Sequence, residues 1–284
     1  MGKRVFMFPG QGSQYIGMGK EFYDTKPNAK AVIDLASEQT GLDIPALCFE
    51  ENDKLNITEY TQICMLAVEA AIYQAIIDKG ITPDVTAGLS LGEYGALIAS
   101  GAMTMADAFA VVRKRGIYMQ EAVPTGGAMT AVLGLDPQVI EDICKKTADE
   151  TNSVVSVANY NCPGQIVITG EKAAVDAAAA ACSEAGAKRC VPLKVSGPFH
   201  SAMLKGAGEK LADALESVEI HDIKVPYITN VTADYVKSPA DVKDYLTQQV
   251  SSSVRWQQTI ERLIADGADE FVEIGPGRSL SGFM

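Results

Sequence analysis

Histidine is nearly missing from this sequence: two in 284 residues, His200 and His221. Tryptophan occurs once, and the six cysteines (Cys48, Cys64, Cys144, Cys162, Cys182, Cys190) form no C-x-x-C pair. Zinc sites draw on clustered Cys and His, so no metal centre is expected. Scattered cysteines in so long a chain are not a disulfide framework either, which points to a reducing, cytoplasmic setting. Positive charge is also short, with 24 Lys and Arg against 36 Asp and Glu and a formal charge of −12. A nucleic-acid partner would need a basic face, so none is expected. No apolar run is read as long enough to span a membrane. The apolar stretch Val5–Phe8 ahead of Pro9 is too short for a signal peptide. Phe6 occupies the place where a myristoylation pattern needs Ser or Thr. The expectation is a soluble cytoplasmic protein, on which the Asn-x-Thr sequons at Asn56 and Asn230 are coincidental.

The remainder is an ordinary globular composition, 47% hydrophobic and 21% charged. RVFMFPG reads as a buried strand leading into a loop. TQICMLAVEAAIYQAIIDKG has helical spacing and stops at Gly80. DVTAGLS is strand-like and meets the helix LGEYGALIASG, and ADAFAVVRKRGIYMQEAV is a further amphipathic helix. Such alternation implies a mainly parallel sheet covered by helices. Near VPTGGAM the order changes. AMTAVLGL, DPQVIEDICKKTAD (capped by Asp136 with Pro137 behind it), SVVSVANYN, GQIVITG, EKAAVDAAAAACSEAG and AKRCVPLKV read β-α-β-β-α-β, a ferredoxin-like unit. KVPYITN and DEFVEIG then resume the strands of the larger pattern. The expected architecture is an α/β core, 1–124 and 198–284, interrupted by a ferredoxin-like insertion at 125–197. A cleft between the two is the default place for a site.

Ser90 stands in Gly88-Leu89-Ser90-Leu91-Gly92 and admits two readings. Ser90 and Glu93 form the S-x-x-E pattern of a capping box, in which the serine merely starts a helix. The same residues, between strand and helix, form a G-x-S-x-G elbow, whose tight turn needs small residues two before and two after an exposed hydroxyl. Gly88 and Gly92 favour the nucleophile. The helix N-terminus would then turn its free N–H groups toward the site, with the Leu91 amide as an oxyanion donor. A serine hydroxyl needs a base within reach. His221 lies among charged residues in SVEIHDIKV and reads as a solvated loop residue. His200, in VSGPFHSAML, is the base by elimination; the alternative is a packed core histidine. No triad acid stands out, since Asp222, Asp234 and Asp241 are all in polar, loop-like contexts. The GQG of FPGQGSQ lacks the third glycine of a dinucleotide loop, Tyr15 being there, and no Walker lysine follows. Gln11 suits a second oxyanion donor better. Composition and spacing reach a Ser-His enzyme and stop.

FPGQGSQ, G-x-S-L-G-E, R-G-x-x-M-Q-E, N-x-P-G-Q, F-H-S and E-I-G-P-G, in this order from Phe8 to Gly277, resemble the malonyl-CoA:acyl-carrier-protein transacylase family. The resemblance implies a hydrolase-like core with a ferredoxin-like insertion. It implies that Ser90 takes malonyl from coenzyme A and that His200 activates it. A backbone carbonyl near Gln249 would orient His200, so that a dyad replaces the triad. Gln11 and Leu91 resemble the oxyanion-hole positions, and Arg115 the arginine that binds the free malonate carboxylate. Gln62, Met119 and Phe199 resemble acyl-pocket residues. The implied partners are malonyl-CoA and holo acyl carrier protein, with no permanently bound cofactor, and the chain is expected to act as a monomer in fatty acid synthesis. A polyketide-line acyltransferase, a serine thioesterase or hydrolase, and a silent carrier-binding scaffold are the alternatives.

Arg115 discriminates among these. Arg113, Lys114 and Arg115 would ordinarily form a solvated face, but successive helical residues are turned about 100° apart, so one can face inward. A guanidinium in a dry cleft suits a carboxylate bidentately. Charged hydrogen bonds worth about 1.5–3 kcal/mol give about ten- to a hundredfold preference for malonyl over acetyl. Lys188, Arg189 and Lys194, with Arg113 and Lys114, are a candidate basic docking patch or simply solvated surface. The sequence departs from the family in having Leu89 where a histidine is usual before the serine, and Ser253 where proline is frequent. The chain also ends soon after Gly277, where the resemblance implies a further terminal segment.

Overall fold

The computed structural model describes residues 2–195 and 197–284. The chain runs through β1 (Lys3–Phe8), α1 (Lys20–Thr25), α2 (Pro27–Thr40), α3 (Ile44–Phe49), α4 (Thr58–Ile77), β2 (Val85–Gly88), α5 (Gly92–Ser100) and α6 (Met105–Ala122). There follow β3 (Gly127–Leu133), α7 (Pro137–Thr151), β4 (Val155–Cys162), β5 (Gln165–Glu171), α8 (Lys172–Glu184) and β6 (Arg189–Pro192). The last part holds α9 (Lys205–Glu216), β7 (Tyr227–Ile228), α10 (Val242–Gln249), α11 (Trp256–Ala265) and β8 (Ala268–Glu273).

Apolar runs without alternation make strands buried on both faces, and helices must then cover the sheet. The larger sheet has the order β7-β2-β1-β8, with every neighbouring pair parallel. The smaller has the order β4-β5-β3-β6 and is antiparallel throughout, the pairing expected of a βαββαβ unit. Its helix α7 starts as the sequence implies: the Asp136 carboxylate accepts the amides of Gln138 and Val139, and Pro137 fills the first turn.

Two features place a site. The C-terminal ends of β1, β2, β7 and β8 bring Pro9–Gln11, Leu89–Ser90, Thr229–Asn230 and Ile274–Pro276 to one edge of the parallel sheet, where ligands of open α/β sheets bind. The segment after α10 is stitched to the small sheet. The Val254 amide donates to the Ala158 carbonyl at 2.8 Å, the Tyr160 amide to the Val254 carbonyl at 2.9 Å, and the Ser253 hydroxyl to the Val157 carbonyl at 2.6 Å. Serine at 253 thus makes a bond that proline could not.

Helix α4 carries the most apolar long helical stretch of the described residues. Helix α4 has 20 residues and a mean hydropathy of 1.3 over its most apolar 18, enough to cross a bilayer by length and composition alone. It is instead the central core helix: 67% of its most apolar window is buried in the protein, and it packs on α2 and α6. Helix α4 also buries Glu69 completely, against Gly95 and Gly275. Among the described residues neither carboxyl oxygen has a hydrogen-bond partner, and burial pushes the pKa well above the usual 4.5. Glu69 is a neutral acid whose folded pKa exceeds its unfolded one, so its contribution to stability is fully present below the unfolded pKa of 4.5 and is lost as pH rises. Glu69→Gln is therefore expected to raise the melting temperature at about pH 8, the gain shrinking toward zero as pH approaches 4.5. Thermal denaturation across that range checks it, and a pH-independent difference would contradict it.

Candidate active site

The turn after β2 is built by close approach. A methyl group at Gly88 would overlap the Gly92 carbonyl, and one at Gly92 would overlap the Phe8 carbonyl. Only glycine fits either place, and Ser90 between them is held in the left-handed region at φ 54°. Asn230, just beyond β7, clamps the turn from both sides. Its Oδ1 accepts the Ser90 amide at 2.6 Å, and its Nδ2 donates to the Gly88 carbonyl at 2.6 Å. The capping box does not form. The positive φ points the Ser90 hydroxyl out of the helix axis, and the first turn closes through three-residue bonds, Gly92 N–H to the Leu89 carbonyl and Glu93 N–H to the Ser90 carbonyl. Glu93 turns away, its Oε2 accepting the Asn230 amide at 3.0 Å and Gln249 Nε2 at 2.7 Å.

The Ser90 hydroxyl meets His200 Nε2 at 2.8 Å. On the other side of the ring, Nδ1 lies 2.8 Å from the Gln249 carbonyl. A carbonyl only accepts, so Nδ1 carries the proton and Nε2 offers its lone pair to the hydroxyl. His200 also has a positive φ, 59°. Its pKa falls from 6.5 to about 4, mainly through burial and then through the charge of Arg115, against the opposing carbonyls of Gln249 and Ser252. The imidazole is neutral and able to accept a proton near pH 7. His221 lies elsewhere, beside Glu219 at 3.7 Å, and the structure brings neither it nor Asp222, Asp234 or Asp241 to this cleft.

Arg115 is 1% exposed on the inner face of α6. Its Nη1 donates to Gln62 Oε1 at 2.6 Å, and its Nη2 donates to Gln249 Oε1 at 2.9 Å and to the Ser90 hydroxyl at 3.2 Å. Burial lowers its pKa, with Tyr94 and Glu93 opposing, but a guanidinium begins so high that it keeps its charge. Lys114 is exposed, whereas Arg113 is not the solvated residue expected. It is half-buried over the Tyr60 ring and pairs with Glu59 at 2.9 Å.

These groups open onto a cleft of about 510 Å³ whose lining includes Gln11, Leu91, Gln62, Met119 and Phe199. Gln62 Nε2 reaches the Met119 sulfur at 3.5 Å, which turns its oxygen to Arg115. Among the described residues, no protein acceptor takes the amide of Gln11 or of Leu91. β4 contributes Asn159 and Asn161 to the opposite wall, and Lys194 lies nearby. Leu89 packs against Gly10 and the apolar cluster around Trp256, so an apolar residue suits that position. The sequence reading missed Glu93 and Asn230 as site residues. Both carried a signal that was assigned elsewhere, S-x-x-E to a cap and N-x-T to an idle sequon.

A family model described as acyl transferase domain matches residues 5–281. The malonyl CoA-acyl carrier protein transacylase of Bacillus subtilis (strain 168) is 48% identical over 286 residues, covering 100% of this chain and 90% of that protein. Its counterpart from Staphylococcus aureus (strain MW2) is 40% identical, covering 100% of this chain and 92% of that protein. Among solved structures, MCAT from Streptococcus pneumoniae superimposes with a TM-score of 0.95 at 49% identity, covering 99% of this chain and 92% of the other. A malonyl-transacylase solved in complex with its type II PKS acyl-carrier protein gives a TM-score of 0.95 at 41% identity, covering 99% of this chain and 91% of the other.

The depressed His200 pKa has a direct readout. Inactivation of Ser90 by an organophosphonate is expected to fall off on the acid side near pH 4, following the lowered His200 pKa, rather than near 6.5. Arg115→Met should move that limb upward by removing the neighbouring charge. A wild-type limb at 6.5 would contradict the burial argument.

Proposed function

Because this chain belongs to the acyl transferase domain family, matched over residues 5–281, we propose that it transfers malonyl from malonyl-CoA to the phosphopantetheine thiol of acyl carrier protein, supplying fatty acid synthesis. The observation that carries the reading is a fully buried cation, Arg115, within hydrogen-bond reach of a serine that is itself paired with a neutral histidine. A neutral acyl chain would leave that charge unmatched in a dry site, whereas the free carboxylate of a malonyl group satisfies it. The reaction runs in two halves. As the Ser90 oxygen bonds to the thioester carbon, His200 Nε2 takes its proton. The amides of Gln11 and Leu91 receive the oxyanion. The C–S bond then breaks, and the coenzyme A thiolate leaves with the proton from His200. In the second half, His200 accepts the proton of the carrier thiol, the sulfur attacks the malonyl ester, and the proton returns to the Ser90 oxygen.

In this scheme Ser90 and His200 are the catalytic dyad, and Gln249 orients the imidazole through its carbonyl. Gln62, Met119 and Phe199 shape the acyl pocket. Residues 125–197 form a unit inserted into the core of 1–124 and 198–284 and supply the cleft's second wall. The carrier protein docks beside Lys188, Arg189 and Lys194, which follow the edge strand β6 to the cleft; Arg113 is already engaged with Glu59. Six free cysteines suit a reducing cytoplasm, and the chain acts as a monomer without a resident cofactor.

Malonyl-CoA is expected to add a malonyl group to Ser90 in the intact protein, detectable by mass spectrometry, and holo acyl carrier protein should discharge it. Hydrolysis at an equal rate without the carrier would favour a thioesterase. Arg115→Ala should lower kcat/KM for malonyl-CoA about ten- to a hundredfold while acetyl transfer holds or rises. An unchanged preference would remove Arg115 from its role.

A further inference from the structure

The buried acid Glu93 has no part in the dyad, yet it touches two groups that hold the site in place, Asn230 and Gln249. Its Oε2 accepts the Asn230 amide and Gln249 Nε2. Asn230 is the clamp on the Ser90 turn. Gln249 is the link to both other functional groups, accepting His200 Nδ1 on its backbone carbonyl and Arg115 Nη2 on its side-chain oxygen.

A glutamine amide has two ends of opposite polarity, and here its orientation is dictated. Gln249 Nε2 sits between two acceptors, the Ser90 carbonyl at 2.9 Å and Glu93 Oε2 at 2.7 Å. Both amide hydrogens are therefore committed, and Oε1 is left facing the guanidinium. Rotated by half a turn, the amide would put its oxygen against two acceptors and its NH2 against Arg115, which has no acceptor to offer. Removing the acceptor at position 93 takes away one of the three groups that oppose that rotation, leaving the Ser90 carbonyl and Arg115 itself.

From this geometry we infer that Glu93 is a positioning residue for specificity: its Oε2 fixes the polarity of the Gln249 amide, which in turn holds Arg115 where a substrate carboxylate meets it. The inference rests on the reading of Arg115 as the carboxylate-binding residue. Burial raises the pKa of Glu93, against the two amides, Thr229 and Arg115. A proton on this carboxyl sits on Oε1, because Oε2 already receives two N–H donors, so Oε2 accepts in either state. Glutamine at position 93 can reproduce that acceptor, and methionine, of similar volume, cannot.

The test compares kcat/KM for malonyl-CoA and acetyl-CoA, with holo acyl carrier protein as acceptor, in the full-length wild type, Glu93→Met, Glu93→Gln and Arg115→Ala. The malonyl-to-acetyl ratio is expected to fall about tenfold in Glu93→Met, chiefly through KM for malonyl-CoA, and to stay within about threefold of wild type in Glu93→Gln. A residue serving stability alone would lower both substrates together and leave the ratio intact. If Glu93→Met does not fold, Glu93→Ala replaces it. An unchanged ratio in the acceptor-free variant, alongside a collapsed ratio in Arg115→Ala, overturns the inference and leaves the proposed function standing. An equal collapse in Glu93→Gln and Glu93→Met overturns the acceptor argument as well. A ratio that survives Arg115→Ala removes the underlying reading itself.

Discussion

A cation without a counter-ion organises this molecule. Arg115 is buried, yet its three hydrogen-bond partners, Gln62, Gln249 and Ser90, are all neutral. Its Nε has no partner among the described residues. A buried charge held only by dipoles is costly, and breaking into such an arrangement typically costs several kcal/mol. The structure tolerates it because Glu93 lies one residue behind, separated from Arg115 by the Gln249 amide. A direct salt bridge would have filled the place that a ligand carboxylate needs. The interposed amide passes polarity from the acid to the guanidinium without neutralising it.

The backbone bears a second cost at the same point. Ser90 and His200, the two residues that meet at 2.8 Å, both hold positive φ, which side chains other than glycine rarely adopt. Neither conformation stands alone. Asn230 ties down the turn at Ser90, and the Gln249 carbonyl fixes the imidazole. Gln249 ends α10, and four residues later the chain is bonded to β4 of the small sheet. The small sheet is thus attached next to the residue whose carbonyl meets His200 Nδ1, which ties the cleft's far wall to the Ser90–His200 pair.

Much of this was legible in the residues themselves. Alternation of strands and helices predicts the parallel sheet, and the change of order after Pro124 predicts the antiparallel one, because periodicity and turn chemistry are local properties. The two glycines around Ser90 are legible because close approach leaves glycine as the only solution. Glu93 and Asn230 were not, since S-x-x-E and N-x-T fit commoner local patterns, and only long-range contacts, 137 and 140 residues apart in sequence, overrule them. Asn230 is 1% exposed with both ends of its amide bonded within the protein, which leaves its nitrogen no access in the folded chain. Arg113 was misjudged for a similar reason, because its partner Glu59 lies on another helix.

On the proposed reading, the positive φ of Ser90 and His200, a neutral imidazole and an unneutralised guanidinium suit one charged acyl group. The central claim is that Arg115 lacks a counter-ion because the substrate brings it. The most direct measurement is a crystal structure of the malonyl-enzyme, formed with malonyl-CoA in the absence of carrier protein. The account predicts an ester on the Ser90 oxygen, its free carboxylate paired with the Arg115 guanidinium, and the Gln249 amide unrotated. A malonyl carboxylate turned to solvent, with Arg115 still bound only to Gln62 and Gln249, would contradict it.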